Sequence, residues 1–398
     1  MLNLDSLQEL PLPPRGSIVA VAMSGGVDSS LVAHLMAERG CKVVGVTMKV
    51  YDGSIAFPEG AGNGCYGPDE EEDEAACRRL CEKLQAEYVV IDLSKPYGKE
   101  VLEYFKSEYM QGRTPNPCLR CNPLIKFGLL PMALRERSYH FDYYVTGHYA
   151  RLLSPYGEAE QGVYLAPGLD PFKDQSYFLQ RVGQDILKIT RFPLGALRKE
   201  AVRQLARERG LEVAEKKDSQ DFIAKEDYET LFARDGLKAG NIVDSRGRVL
   251  GEHRGIVRYT IGQRRGVGVS TGTEPLYVVA LDAVKNQVVV GHERELFSKS
   301  LEGSQSVWAP GFGNEPFRAL AKIRLASKPA WALVEPRPDG SVRVIFDEAQ
   351  RAIAPGQSVA FYIPLKQNIE FELASNRVPP DTILAGGAVI DRKLSDIA

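Results

Sequence analysis

Two short stretches of this chain put reactive residue types at spacings that chemistry can use. The first is "AVAMSGGVDSSLVAHLM" (Ala20 to Met36), where two glycines and three serines interrupt an apolar run. Amides at a helix start point outward and carry partial positive charge, and glycine lets a backbone approach an anion closely. Serine hydroxyls add donors. Ala22, Met23, Ser24, Gly25, Gly26, Val27, Asp28 and Ser29 therefore form a candidate phosphate-binding turn. It is not the Walker pattern, because no Lys-Ser/Thr pair follows the glycines. A generic glycine turn would be read simply as a tight connection holding nothing.

The second stretch is "GRTPNPCLRCNPLIKFG" (Gly112 to Gly128). Its prolines fix an extended lead-in. Cys118 and Cys121 stand in C-x-x-C spacing, which lets two sulfurs meet as a redox pair or as two metal ligands. Arg113, Arg120 and Lys126 supply positive charge that can lower a thiol pKa. A structural zinc would want four ligands; there is no second C-x-x-C, and the five histidines show no ligand spacing. An iron–sulfur site would need a third thiolate, for which Cys65 in the glycine-rich "GAGNGCYGPDE" is the candidate. Cys77 and Cys81, with Leu80 and Leu84, form an apolar helix stripe and read as core, as does Cys41 at a strand start.

These residues need elements to hold them. "GSIVAVAM" reads as a buried parallel strand. After the turn, Asp28 or Ser29 caps a helix whose apolar face is Leu31, Val32, Leu35 and Met36, and Gly40 ends it. "CKVVGVTMKV" is the next strand, which makes a right-handed βαβ unit. Met48, near the end of that strand, lies where an adenine could rest. "AEYVVIDL" and "FDYYVTGHYA" are later strands, and "PLGALRKEAVRQLARERG" is an amphipathic helix. "PDEEEDEAAC" reads as a solvated acidic helix start. The expected fold is α/β: a doubly wound, mostly parallel sheet over 1–221, a small central domain over 222–293, and an antiparallel β-barrel over 294–398. In the central part Arg254, Arg258, Arg264 and Arg265 cluster as a basic patch suited to phosphate.

The 398 residues carry a net charge of −2, with 44% hydrophobic and 26% charged residues, an ordinary globular balance. There is no membrane-length apolar run and no secretory start at the N-terminus, so a cytoplasmic setting with reduced thiols is expected.

The first turn resembles the SGGxDS loop of the PP-loop ATP pyrophosphatases, which implies cleavage of ATP between the α and β phosphates and transfer of AMP to an acceptor. "SGGVDSS", "RTPNPCLRCNPLIKFG", "VTGHYAR", "KDQSYFL", "DSQDF", "GEHRGIVRYTIGQRRGVG", "PLYVVALD", "AKIRLASKPA" and "QRAIAPGQSVAFY", in this order from about Ser17 to Asp391, resemble the tRNA-specific 2-thiouridylases. The resemblance implies a PP-loop fold, ATP and Mg²⁺, a tRNA with a wobble uridine, and a sulfur-donor protein or sulfide source. Uracil O2 would be adenylated and a persulfide would then replace AMP. The turn from Ala22 to Ser29 would hold ATP, with Met48 and Gly147 near the nucleoside. Asp28 would face Mg²⁺ or a phosphate-bound water. Cys121 matches the nucleophilic cysteine. Asn116, Pro117 and Cys118 match the segment facing the target base. His148, Lys173, Asp174, Gln175, Arg324, Leu325 and Gln357 match tRNA contacts.

One departure matters. Where the family usually has a second catalytic cysteine, this chain has Ile223. Either Cys118 and Cys121 together do the persulfide and resolving chemistry, or Cys118, Cys121 and Cys65 hold a [4Fe-4S] cluster that binds sulfide. The dithiol is preferred because only two cysteines lie in the motif. The rival readings are another PP-loop enzyme, such as an amide-forming synthetase or another RNA thiolase, and a non-catalytic tRNA-binding relative.

Overall fold

The computed structural model describes residues 4–55, 57, 64–218, 222–223, 228–232, 237–270, 274–366 and 375–394. Within the "DSQDF" stretch, residues 219–221 fall outside them.

The first architectural unit is a five-stranded sheet. Its strands are β1 (Ile18–Ala22), β2 (Lys42–Lys49), β3 (Glu87–Asp92), β4 (Tyr143–Thr146) and β5 (Thr190–Arg191). The spatial order is β3-β2-β1-β4-β5, and each neighbouring pair is parallel. The near-continuous apolarity of β1 follows from this place: Val19, Ala20 and Val21 are wholly buried at the centre of the sheet. The chain runs outward from β1 through β2 to β3, then returns to β4 on the other side of β1. That reversal makes a topological switch point, and its crevice opens beyond the carboxyl ends of β1 and β4.

Helix α1 (Val27–Glu38) follows β1 and buries Val27, Leu31, Val32, Ala33 and Met36. Its N-cap is Gly26, not Asp28 or Ser29, and no side chain caps it. Both polar side chains are engaged elsewhere, as the site shows below. Gly40 follows the helix with φ +82, the left-handed conformation that ends a helix cheaply only at glycine.

Helix α2 (Glu70–Lys83) buries Cys77, Leu80 and Cys81, the stripe read from their spacing. Its acidic start is not simply solvated. The Glu70 carboxylate accepts the Val50 and Tyr51 amides at 3.1 and 3.0 Å, and Asp73 pairs with Lys216. Burial raises the Glu70 pKa despite those bonds. A short helix α3 (Cys118–Cys121) leads into a wider helical stretch, Asn122–Leu129, and on to Leu130–Glu136. Helix α4 (Lys199–Glu208) lies against α1.

The central part is a four-stranded mixed sheet in the order Val249–His253, Gly240–Asp244, Gln287–Gly291, Tyr277–Asp282. Arg254, Arg258, Arg264 and Arg265 are all exposed there. The C-terminal part is a closed barrel of β6 (Phe297–Trp308), β7 (Phe317–Lys322), β8 (Ala330–Pro336), β9 (Val342–Arg351), β10 (Ser358–Pro364) and β11 (Thr382–Leu394), every pairing antiparallel. This is the β-barrel expected from the short alternating strands.

The barrel and the central sheet each have a core of their own, and one larger cluster crosses from the first unit to the barrel. A single apolar cluster includes Tyr66, Tyr97, Cys121, Phe127 and Tyr144, and extends to Ile223 and to Tyr362 on β10. Polar ties cross the same boundary: Tyr177 OH donates to Ser358 O at 2.8 Å, and Thr114 N donates to Pro355 O at 2.7 Å. No helix among the described residues is long and apolar enough to cross a membrane.

Candidate active site

The turn after β1 is held by its own serines. Met23 N continues the strand ladder to Val46 O at 2.8 Å. The chain then reverses through Gly25, whose φ of +68 suits only glycine at low cost. A Cβ added there would stand 2.6 Å from Cβ of Asp73. Ser29 Oγ accepts from Ser24 N at 3.1 Å and donates to Gly26 O at 3.3 Å, which folds the turn back onto the first turn of α1. Thr47 Oγ1 donates to Met23 O at 3.1 Å. Met48 lies two residues beyond Val46, past the end of β1, on the same side as this turn. The result is a compact cradle at a helix N-terminus, the arrangement that receives phosphate.

Asp28 carries a charge network that sequence spacing does not announce. Its carboxylate accepts from Tyr149 OH at 2.7 Å and from Lys199 Nζ at 2.7 Å on both oxygens. Lys199, its side chain only 7% exposed, also reaches Asp218 at 2.9 Å. Lys173 and Arg203 pair with Asp218 at 2.6 and 2.7 Å. Burial pulls the Asp218 carboxyl up, and these cations more than offset it, leaving it below the ordinary range. The partners are separated by up to 171 residues, so no local motif could have found them. Asp28 and Lys173 are named from their motifs and Asp218 lies in "DSQDF", whereas Lys199 and Arg203 fall in a helix read only as amphipathic.

The end of β4 joins this cradle to the thiols. Gly147 packs flat on α1: an added Cβ would meet Asp28 Cβ and Ser29 N at 3.1 Å. The next residue, His148, bonds Thr146 Oγ1 through Nδ1 at 2.8 Å and lies between the Phe127 and Phe192 rings, with centroids 5.5 and 5.9 Å away. Burial, and then the Lys126 charge, lower its pKa to about 3. At neutral pH His148 is thus an uncharged group, not a cation for phosphate.

The thiols come from the "TPNPCLRC" segment. Asn116 Oδ1 accepts from Cys118 N at 3.0 Å, and Pro117 O accepts from Cys121 N at 2.8 Å, so the prolines and the asparagine together start α3. Cys118 and Cys121 stand three apart on that helix, on one face. Cys118 is half-buried, Cys121 is only 9% exposed, and Cys65 is exposed. Burial pushes the Cys121 thiol up to about 11, against the Lys126 charge that lowers it. Burial pulls the Lys126 ammonium down, and the charge that Cys65, Cys121 and Cys118 carry when ionised outweighs the pull. The three cysteines and one lysine thus share one electrostatic neighbourhood. Among the described residues, however, no three His, Cys, Asp or Glu side chains are grouped as a metal site.

The other expected contact residues are distributed as follows. Lys173 joins the Asp218 network. Asp174 accepts from Gly168 N and Ser176 N, and burial raises its pKa despite them. Gln175 exchanges two hydrogen bonds with the Tyr149 backbone, both 2.9 Å. Gln357 donates to Thr114 O at 2.7 Å, which ties the barrel to the lead-in of the cysteine segment. Leu325 is exposed. Arg324 keeps a buried Nε without a hydrogen-bond partner.

Comparison with known proteins adds to this geometry. Residues 17–225 match a family model described as a tRNA methyl transferase HUP domain, 229–292 a tRNA methyl transferase PRC-barrel domain, and 298–368 an aminomethyltransferase beta-barrel domain. The tRNA-specific 2-thiouridylase MnmA of Endomicrobium trichonymphae is 41% identical over 94% of this chain and 98% of its own length. MnmA 2 of Caldanaerobacter subterraneus subsp. tengcongensis is 40% identical over 96% and 99%. That of Magnetococcus marinus is 43% identical over 86% and 95%. Among solved structures, an NMN synthetase from Francisella tularensis aligns with a TM-score of 0.32 at 16% identity, covering 56% of this chain and 79% of that one, too distant to bear on function.

Proposed function

This chain belongs to the tRNA-specific 2-thiouridylase family, and from that membership we propose that it adenylates the C2 oxygen of a tRNA wobble uridine with ATP and replaces the AMP with sulfur. The family models are described in terms of methyl transfer, and the relatives are named for thiolation. The paired thiols next to a phosphate cradle favour thiolation.

The cradle from Ala22 to Ser29 binds the ATP phosphates, and Met48 and Gly147 flank the nucleoside. Uracil O2 attacks the α-phosphorus and pyrophosphate leaves. Uracil C2 then carries AMP as a leaving group. One thiol of the Cys118/Cys121 pair carries a sulfane sulfur. Its terminal sulfur bonds to C2 as AMP departs. The partner thiolate attacks the cysteine sulfur of that linkage, which frees 2-thiouridine and leaves a Cys118–Cys121 disulfide. The sulfane sulfur gains two electrons, the two cysteines lose two, and a cellular dithiol resets them.

The Asp28 carboxylate would face Mg²⁺, an ion that would supply charge neutralisation at a pyrophosphate leaving group, or a phosphate-bound water. Lys199 keeps that carboxylate paired and oriented. Asn116 and Pro117 set the thiol pair toward the base. The exposed arginines of the central sheet suit tRNA phosphates. A cytoplasmic setting keeps the thiols reduced. The divisions 1–221, 222–293 and 294–398 are proposed as the functional units.

The observation that carries this reading is the junction at β4, where Gly147 abuts the cradle and His148 packs on Phe127, six residues beyond Cys121 in the cysteine segment. Nucleoside mass spectrometry of unmodified tRNA incubated with the protein, ATP, Mg²⁺ and a persulfide tests it. The expected product is 2-thiouridine with one AMP released per event. AMP release driven by a small carboxylic acid and not by tRNA would point to an amide-forming synthetase. Binding of tRNA without AMP release would point to a non-catalytic relative.

A further inference from the structure

Within the Cys118/Cys121 pair, Cys121 poses an access problem, while Cys118 is half-buried. Cys121 is only 9% exposed and sits in the same packed cluster as Tyr97, Phe127 and Tyr144. A sulfur donor large enough to be a protein cannot press its own persulfide onto such a thiol. Cys65, by contrast, is exposed.

The loop that carries Cys65 is docked onto the thiol site. Tyr66 N donates to Phe222 O at 3.2 Å. Gly64 lies so close that an added Cβ would meet Phe222 O at 2.6 Å and Ile223 Cα at 3.2 Å. Tyr66 stacks on Tyr97 with centroids 5.6 Å apart and planes 7° from parallel. The buried Tyr97 hydroxyl feels all three of Cys121, Cys65 and Cys118, after the larger effect of its own burial. Cys65 is thus exposed on a segment whose next residue, Tyr66, packs in the same apolar cluster as Cys121. Its neighbour Gly64 lies against the backbone of Ile223, the position that offers no sulfur of its own.

Resting on the thiolation reading above, we propose that Cys65 is the receiving thiol of a sulfur relay, the residue at which sulfane sulfur is taken from a persulfide donor and handed to the Cys118/Cys121 pair. The Cys65 thiolate attacks the terminal sulfur of the donor persulfide. The donor S–S bond breaks, the donor leaves as a thiolate, and Cys65 becomes the persulfide. A thiolate of the pair repeats the attack on the terminal sulfur of Cys65, which regenerates the Cys65 thiolate. Each transfer moves one sulfur atom at the same oxidation level, so the relay itself needs no oxidant or reductant. Lys126 faces all three sulfurs and stabilises the anion at each stage.

The test charges the purified full chain with limiting ³⁴S-labelled glutathione persulfide, quenches by alkylation and maps label by peptide mass spectrometry. In a Cys118→Ala/Cys121→Ala protein, label accumulates on Cys65. In the wild type it is found on the pair. In Cys65→Ser, charging of the pair falls at least tenfold. The same Cys65→Ser sample keeps tRNA-dependent pyrophosphate release from ATP, which shows that the variant is folded and adenylation intact. Wild-type charging of the pair in Cys65→Ser, or absence of label on Cys65 in the double variant, would overturn the relay while leaving the thiolation reading standing. Absence of tRNA-dependent pyrophosphate release from the wild type would overturn the thiolation reading, and the relay with it.

Discussion

Gly147 and Asp28 touch: a Cβ built on Gly147 would stand 3.1 Å from the Cβ of Asp28 and 3.1 Å from the Ser29 amide nitrogen. The end of β4 is therefore the floor on which the first turn of α1 rests. Gly147→Ala would push that turn outward by a few tenths of an ångström. Overpacking at such a contact costs about 1–3 kcal/mol. If that strain falls on the ATP-bound state, the KM for ATP rises by roughly tenfold, with folding cooperativity kept. An unchanged KM, measured by tRNA-dependent pyrophosphate release, would mean that the cradle is not where the nucleotide sits.

Lys126 tunes Cys121. Burial raises that thiol to about 11 and the lysine charge opposes the rise. Lys126→Met removes the opposing charge, so the midpoint for Cys121 alkylation moves to still higher pH. Iodoacetamide labelling followed across pH 8 to 11, on the order of the thiol range, reads this directly. A midpoint that stays put or falls would separate Lys126 from the thiol site.

The depressed pKa of His148 has a consequence for acid stability. Its folded value is about 3, well below the ordinary histidine value. Between the two values the unfolded chain binds the proton and the folded chain does not. The neutral histidine therefore favours the fold above about pH 6.5, and that contribution is lost as the pH falls toward 3. Each unit of depression corresponds to about 1.4 kcal/mol, an upper bound for a ring that keeps some exposure. His148→Gln is expected to flatten the loss of stability between pH 6.5 and 4, followed by urea denaturation. A parallel pH dependence in both proteins would contradict the buried, neutral assignment.

Gln357, matched by its motif to a tRNA contact, donates to Thr114 O, at the start of the cysteine segment. Gln357→Ala should lower the thiolation rate by about three- to tenfold, an effect of about 0.7–1.4 kcal/mol, the size of one hydrogen bond. It should leave the tRNA dissociation constant within about twofold. A weakened tRNA affinity with an unchanged rate would point to the contact role.

What sequence reveals and what it hides here divides by distance along the chain. The β1–turn–α1 unit was readable because everything it needs is local: an apolar strand, two glycines and a serine three residues beyond Gly26. The Cys77–Cys81 stripe was readable from helical spacing. The barrel was readable from alternating short strands. The Asp28–Lys199–Asp218 network was not, because its members meet only after the sheet reverses direction at β1 and β4. Glu70 and Asp73 were misjudged as solvated because composition cannot say that helix α2 starts against the phosphate turn. The helix cap was misplaced by two or three residues because Ser29 and Asp28 have better partners in the folded chain than the helix's own amides. Cys65 could be named as accessible from its glycine-rich loop, but the docking of its neighbour Tyr66 on Phe222 and Tyr97 could not be read from spacing.

The central claim is that adenylation and sulfur transfer are two half-reactions at one junction, the first belonging to the Ala22–Ser29 cradle and the second to Cys118 and Cys121. It is tested most directly by giving Cys121→Ala protein α-³²P-labelled ATP, Mg²⁺ and unmodified tRNA. The expected result is label held on the tRNA as a uridine adenylate, pyrophosphate released, and 2-thiouridine reduced at least a hundredfold. Full 2-thiouridine formation by that variant, or no tRNA-dependent pyrophosphate from either protein, would contradict it.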